Sequence, residues 1–189
     1  MRIASISGAH IFATLPLGAL LLSATAALAD SSDDLYDRYF SNVLAGRPCF
    51  ARTYDEANLA AHTVQRVHSI EISLAKKNFD GSPNSANRFE LEFALTVTSS
   101  PEWYGQAAIC RTTEASFECF LKADGGLFRL TPLANGGLRL HTGETGISLE
   151  GTTDTVELSN KTREDQSFDL VPSKAECEAA HAFIEGGNE

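Results

Sequence analysis

The chain has 189 residues, with 25 acidic against 15 basic side chains and a formal net charge of -10. Hydrophobic residues make up 43% and charged residues 21%, which is a globular composition and excludes an intrinsically disordered chain. The acidic excess argues against binding to nucleic acid or to an anionic membrane surface, since both need clustered lysine and arginine.

Residues 1–29 have the pattern of a secretory signal peptide. A positive charge at Arg2 precedes a long apolar run, and Ala27-Leu28-Ala29 is a cleavage signature. The alternative is an uncleaved membrane anchor, but Pro16 interrupts the apolar run. We therefore expect a single mature domain of residues 30–189, periplasmic or secreted, with no membrane span after cleavage.

The helices are predicted from apolar spacing and capping residues. One helix is expected over residues 33–45, where the apolar side chains form a single stripe and Ser32 can act as the cap. A turn or two of helix is expected over residues 56–62. Residues 173–176 have the form of a capping box and open a final helix that extends to Ile184.

From Val67 the apolar period changes to two, which is typical of strands. Eight or nine short strands joined by hairpin turns predict a mainly β fold. The preferred architecture is an antiparallel up-and-down barrel of about eight strands with flanking helices, and the alternative is a β-sandwich. The residues expected to face inward are Ile70, Ile72, Phe89, Leu91, Phe93, Leu95, Phe128, Leu130, Leu138, Leu140, Ile147, Leu149 and Phe168.

Four cysteines in an exported chain predict two disulfides. Cys110 and Cys119 flank a predicted hairpin, which would bring their sulfurs together and leave Cys49 to pair with Cys177. The alternative is one disulfide and two free buried thiols. No C-x-x-C spacing occurs, so neither a zinc site nor a thioredoxin-like redox pair is expected.

The sequence contains no motif for catalysis. G-x-S-x-G, S-x-x-K and H-E-x-x-H are absent, and acidic pairs carry no information in a chain with 25 acids. We therefore assign no catalytic residue, no metal ligand and no cofactor. His68 is predicted to lie on the apolar face of a strand as a core or rim histidine.

The basic segment that begins at Arg47 offers the first candidate binding site. Its arginines suit recognition of a carboxylate or a partner loop. The candidate residues are Arg52, Tyr54, Asp55, His62 and Arg66. The alternative is structural, with Arg52 and Arg66 paired to nearby acids and Tyr54 packed on the barrel.

Adjacent aromatic residues offer a second candidate site. Trp103 and Tyr104 follow Pro101, and aromatic side chains in loops often anchor partners. The alternative is that these rings belong to the core and seal one end of the barrel.

The segment Cys49-Phe50-Ala51-Arg52-Thr53-Tyr54-Asp55 resembles a segment of small exported proteobacterial proteins. The resemblance covers mainly this segment and Cys177, and it implies no activity. The predicted barrel is also similar in architecture to the small periplasmic β-barrel inhibitors of lysozymes and proteases. No residue motif supports that likeness, so it is one of fold alone.

Three functions are open to such a chain. The first is a non-enzymatic binding or inhibitor-like protein that presents loops from a disulfide-stapled scaffold to a protein or small-ligand partner in the cell envelope. The second is a barrel that carries a small apolar ligand, and the third is an enzyme with an unrecognised site. A filled interior with exposed aromatic or arginine loops would favour the first. The chain is expected to be a monomer.

Overall fold

The computed structural model describes residues 31–41, 47–158, 165–173 and 177–185. The predicted signal peptide lies outside these ranges, as do residues 174–176 of the predicted capping box. The elements in chain order are α1 (Ser32–Tyr36) with a π-helical turn (Asp37–Ser41), β1 (Cys49–Thr53), α2 (Glu56–Ala61), β2 (Val67–Leu74), β3 (Phe89–Val97), β4 (Ser100–Thr112), β5 (Phe117–Leu121), β6 (Leu127–Pro132), β7 (Leu138–His141), β8 (Ile147–Glu150), β9 (Thr155–Leu158), β10 (Ser167–Ser173) and α3 (Glu178–Glu185).

Eight of the strands close into an antiparallel barrel, as predicted. Their order is β3-β2-β1-β10-β7-β6-β5-β4, and β4 pairs back with β3. Consecutive strands are neighbours from β1 to β7. The chain then leaves the barrel for the β8–β9 hairpin, which pairs with the edge of β4, and returns as β10 between β7 and β1.

The barrel interior is filled by the side chains that alternate along the strands. Phe89, Leu91, Phe93 and Leu95 on β3 are fully buried, because successive strand residues point to opposite faces and these four share the inner one. All thirteen residues predicted to face inward are buried. Two of them, Ile147 and Leu149, lie on β8 and so outside the barrel wall.

The N-terminal helix closes one end of the barrel with aromatic rings. Its cap is Ser31 rather than the predicted Ser32. The Ser31 hydroxyl accepts a hydrogen bond from the Asp34 backbone amide, and the Asp34 carboxylate accepts one from the Ser31 backbone amide. The Phe40 ring centroid lies 5.0 Å from those of both Phe89 and Phe117. Aromatic pairs at such distances add about 1 kcal/mol each beyond their burial.

The opposite end is covered by the β8–β9 hairpin. Leu149, Val156 and Leu158 join the same buried cluster as the barrel interior. The Ser148 amide donates a 2.8 Å hydrogen bond to the carbonyl of Gly125 in the β5–β6 turn. Both mouths of the barrel are therefore closed by parts of the chain.

Both predicted disulfides are confirmed. Cys110 and Cys119 are opposite each other in the β4–β5 ladder, with Cα atoms 4.1 Å apart. Cys49 and Cys177 have Cα atoms 5.8 Å apart and join β1 to α3. None of the four cysteines is free.

Helix α3 covers part of the outer face of the barrel, a feature that strand periodicity did not predict. Ala180 packs with Ala94 of β3 and with the Cys49–Cys177 disulfide, and Trp103 packs against this cluster. Glu92 on the outer face of β3 is consequently only 3% exposed. An alternating strand can thus be buried on both faces.

The prediction for His68 is wrong. The register between β2 and β3 shifts between Val67 and Ser69, so the alternation breaks at a bulge and His68 is exposed. Its Nδ1 lies 3.4 Å from the hydroxyls of both Ser69 and Thr96.

Candidate binding surfaces

The basic segment from Arg47 to Arg66 does not form one continuous site, because its two end arginines lie at opposite ends of β1. Arg47 Nη1 donates to Glu92 Oε1 at 3.0 Å, and His181 Nδ1 also bonds Glu92. Arg66 Nε donates to Asp165 Oδ2 at 2.8 Å, and Asp165 is fully buried. Each arginine therefore neutralises a buried carboxylate, and for Arg66 this is the predicted structural alternative.

Arg52 belongs to an ionic cluster on β1, β7 and β10, and Tyr54, which directly follows β1, is partly buried against the barrel core as the structural alternative predicts. The Arg52 guanidinium lies 5.3 Å from the centre of the Tyr54 ring. Burial, opposed by Arg52, raises the pKa of the Tyr54 hydroxyl. Arg139 Nε donates to Asp169 at 2.6 Å, and this bond, with a smaller contribution from Arg52, lowers the Asp169 pKa. Asp169 pairs with Arg139, so the group of Arg52, Arg139 and Asp169 keeps one positive charge.

The two remaining members of the predicted segment flank α2. Asp55 is its N-cap and accepts a 2.8 Å hydrogen bond from the Asn58 amide. His62 ends the helix at its C-cap. Both are exposed, and the Asp55 carboxylate oxygen that faces the helix is occupied by the cap.

Trp103 and Tyr104 point to opposite faces of β4, so they do not act together. Tyr104 is buried in the barrel core. Trp103 is partly buried beneath α3, on the outside of the barrel. The alternative of core packing therefore holds for both rings, although Trp103 seals no barrel end.

The most exposed large apolar side chain among the described residues is one that sequence reasoning passed over. Phe79 is 81% exposed in the loop between β2 and β3. The sequence showed only a polar loop with Gly81 and Pro83. The sequence signal for this site is a large aromatic residue within a polar loop, because a loop that only connects two strands does not require one.

The loop that carries Phe79 is held in place by hydrogen bonds. Asn78, which precedes it, is 1% exposed, and its Nδ2 donates to Ser82 Oγ and to the Pro83 carbonyl, both at 3.0 Å. Asn84 Nδ2 donates to the Ala75 carbonyl at 2.7 Å. These bonds fix the loop conformation while Phe79 itself points into solvent.

A buried glutamate ties this loop to the barrel wall. Glu90 is 3% exposed on the outer face of β3 and accepts a 2.8 Å hydrogen bond from the Phe79 amide. Lys122 Nζ bonds the same carboxylate at 3.0 Å and lies 4.4 Å from the centre of the Phe79 ring. The lysine thus supports the ring by a cation–π contact and neutralises the glutamate.

An apolar row continues from Glu90 across the outer face of the barrel. The strand register places Glu90 opposite Ile109, Ile109 opposite Phe120, and Phe120 opposite Leu127. Phe120 is 46% exposed, and the other two apolar side chains are partly buried. Together with Phe79 and Lys122, these three residues are called the Phe79 surface below.

A row of charged residues borders the Phe79 surface on the same outer face, two residues further along each strand. Arg111, Glu118 and Arg129 are in register on β4, β5 and β6. Arg111 Nη2 donates to Glu118 at 2.8 Å and Arg129 Nη2 donates to it at 3.2 Å. Hydrogen bonding from Arg111 is the main reason that the pKa of Glu118 is lowered.

We expect Glu118→Gln to change the pH dependence of stability. Because the folded pKa of Glu118 is below its ordinary value, its stabilisation is present above the unfolded carboxyl pKa of about 4.3 and is lost as the pH falls through the folded value. The effect should be below about 1 kcal/mol, since the pair is open to water. In urea unfolding, wild type should have a higher free energy of unfolding than Glu118→Gln near neutral pH, and the two values should converge in acid. A difference that grows in acid would contradict the assignment.

A cleft lies at the end of the barrel opposite the N-terminal helix, between the β5–β6 turn and the β8–β9 hairpin. Its volume is about 300 Å³, and its lining includes Asp124, Thr145, Ser148 and Glu157. Asp124 has a φ of 63°, in the left-handed region that side chains with a Cβ seldom adopt. The cleft is open, and none of the described residues that line it carries a positive charge.

The chain matches no protein-family model, no curated protein and no solved structure. Within the described ranges, no three His, Cys, Asp or Glu side chains are grouped so that they could hold a metal ion. No helix in the described part of the chain is long and apolar enough to cross a membrane.

Proposed function

We propose that this chain is an exported, non-enzymatic binding protein that recognises its partner in the periplasm or outside the cell through a rigid surface loop, as an inhibitor does. The observation that carries the proposal is Phe79, whose side chain is 81% exposed in a hydrogen-bonded loop. Isolated exposed apolar residues are ordinary, but here a second exposed ring, Phe120, lies in the adjoining row.

The rigidity of the loop supports recognition rather than chance exposure. Association costs about 0.5–1.5 kcal/mol for each flexible side chain that must be ordered, and a loop that is already ordered avoids most of that cost. The Asn78 and Asn84 side chains supply the order here. Aromatic side chains held in this way are frequent hot spots of protein interfaces.

The filled interior favours surface recognition over the carrier alternative. A carrier needs space inside the barrel, whereas Phe93 and Phe128 meet there with ring centroids 5.4 Å apart. Phe40 and its neighbouring rings cover one mouth and the β8–β9 hairpin covers the other. A small apolar ligand would have to displace these side chains to enter.

Export is supported by the two disulfides and by the signal pattern of residues 1–29. We expect protein purified from the periplasm to begin at Asp30 and to titrate no free thiol. Intact mass and a thiol assay under denaturing conditions measure both. Four reactive thiols in freshly isolated native material would contradict export to an oxidising compartment.

The binding proposal is tested by capture from an envelope extract with three immobilised proteins: wild type, Phe79→Ser and Val64→Ser. Val64 is 49% exposed and precedes β2, at the other end of the barrel, so it is a matched apolar control. We expect wild type and Val64→Ser to retain the same protein and Phe79→Ser to lose it. Equal retention by all three would remove Phe79 from recognition. No retained protein, together with a lipid-extractable ligand in native mass spectrometry, would favour the carrier.

A further inference from the structure

We infer that the partner of the Phe79 surface is an acidic segment of another protein that contributes at least one large apolar side chain. This inference rests on the proposed binding function and specifies the chemistry of the partner. It follows from two properties of the same face of the barrel: an exposed apolar row and the charges on both sides of that row.

The apolar part of the site has a defined extent. Ile109, Phe120 and Leu127 lie on three adjacent strands, which are spaced about 4.8 Å apart, so the row is about 10 Å long. Phe79 stands at its β3 end through its bond to Glu90. A surface of this size accommodates one or two large apolar side chains of a bound segment.

The charges around the row are reversed relative to the rest of the molecule. The loop 75–88, Glu90, the outward-facing positions of β4 to β6 and the two turns that join these strands carry six basic and five acidic side chains, a net of +1 in a chain of net -10. The basic residues are Lys76, Lys77, Arg88, Arg111, Lys122 and Arg129. The acidic ones are Asp80, Glu90, Glu114, Glu118 and Asp124, and of these Asp80, Glu90 and Glu118 lie within 4.0 Å of an arginine or lysine.

The positive charges border the apolar row on two sides. Lys122 lies at one edge beside Phe79, and Arg111 and Arg129 form the next row on the other side. Arg111 is 61% exposed and Arg129 54%, so both guanidinium groups retain donors toward solvent while they share Glu118. An acidic segment lying along the row would accept hydrogen bonds from these cations, whereas a basic segment would be repelled by them.

A second copy of this chain is the less favoured occupant. Outside the Phe79 surface, and among the residues whose side chains the structure describes, the exposed large apolar side chains are Val64 and Val171. Val64 is close in sequence to His62 and Arg66, and Val171 follows Asp169, whose carboxylate is paired with Arg139. Neither valine therefore offers the acidic and apolar combination. An anionic bilayer is disfavoured because the rest of the chain carries net negative charge.

The test selects peptides from a random twelve-residue display library on immobilised full-length mature protein, with Phe79→Ser protein as the counter-selection target. We expect the recovered peptides to be rich in Asp and Glu around a large apolar residue. The best peptide, synthesised with a fluorophore, is then titrated against wild type and variants. Phe79→Ser should weaken its Kd about 30-fold or more, as truncation of a hot spot does, and Val64→Ser should leave it unchanged.

Two charge variants test the cationic border independently of the apolar row. Arg111→Gln with Arg129→Gln should weaken binding about 10-fold and flatten its salt dependence, whereas Glu118→Gln should tighten binding. All three changes are on exposed or half-exposed strand positions, so thermal unfolding can verify that each variant is folded. Opposite responses of the arginine and glutamate variants distinguish charge recognition from general damage to the strands.

Recovery of basic or uncharged peptides, or of no Phe79-dependent peptide, would overturn the acidic-segment inference. The binding proposal would survive that result if envelope capture still depended on Phe79. Phe79-dependent dimers in sedimentation equilibrium would assign the surface to a second copy. Flotation with vesicles that contain phosphatidylserine, lost in Phe79→Ser, would assign it to a membrane, and either finding would overturn the inference as well.

Discussion

Phe93→Ala should cost about 3–5 kcal/mol in the free energy of unfolding, as aromatic truncation in packed cores does. Phe93 is fully buried at the centre of β3, and its ring centroid is 5.4 Å from that of Phe128 on the opposite side of the barrel. The cavity left behind cannot collapse easily, because closed strands on every side hold its walls apart. Urea unfolding followed by tryptophan fluorescence measures the loss.

Phe120→Ala is the matched control for the core prediction. It removes the same ring from the same barrel, but from the outer face, where Phe120 is 46% exposed. We expect a cost below about 1 kcal/mol, which is usual for surface substitutions. Equal costs for the two variants would mean that the inner and outer faces of the strands are wrongly assigned.

Replacing both Cys49 and Cys177 by alanine should cost about 2–5 kcal/mol. The bond links residues separated by 128 positions, so it restrains most of the chain in the unfolded state. It also fixes α3 over the outer face, where Ala180 and the buried Glu92 lie. We expect the variant to unfold at lower urea and α3 amides to exchange hydrogen faster than those of β3.

The short disulfide supplies the comparison. Cys110 and Cys119 are separated by 9 positions and are already opposite each other in a ladder, so replacing both by alanine should cost less than removal of the long bond. A larger loss from the short bond would show that local packing of the sulfurs, rather than restraint of the unfolded chain, dominates their effect.

The barrel could be predicted because its determinants are local along the chain. Phe89 to Val97 alternates without interruption, and the hairpin turns fix which strands are neighbours. The cysteine pairing followed from the same hairpins. The His68 bulge could not be predicted, since an inserted residue leaves the sequence pattern intact while it shifts the face that each side chain occupies.

The candidate site was harder to predict because it depends on contacts between distant segments. Glu90 looks like an ordinary outward-facing strand residue, yet it is buried by Lys122 and by the Phe79 loop. Arg47 and Arg66 bound one basic segment of the sequence, but β1 separates them in the fold. Only the cross-strand register brings Ile109, Phe120 and Leu127 into one row.

The role of the Phe79 surface is tested most directly by amide chemical-shift mapping on labelled protein titrated with its captured partner. We predict that the chemical-shift changes occur in the loop 75–88 and at the outward positions of β4 to β6, and that the amides of Phe79 and Phe120 show some of the largest changes. Changes centred instead on the cleft of Asp124 and Glu157, or on the Arg52–Tyr54 cluster, would contradict that role and move the binding site to the other surface.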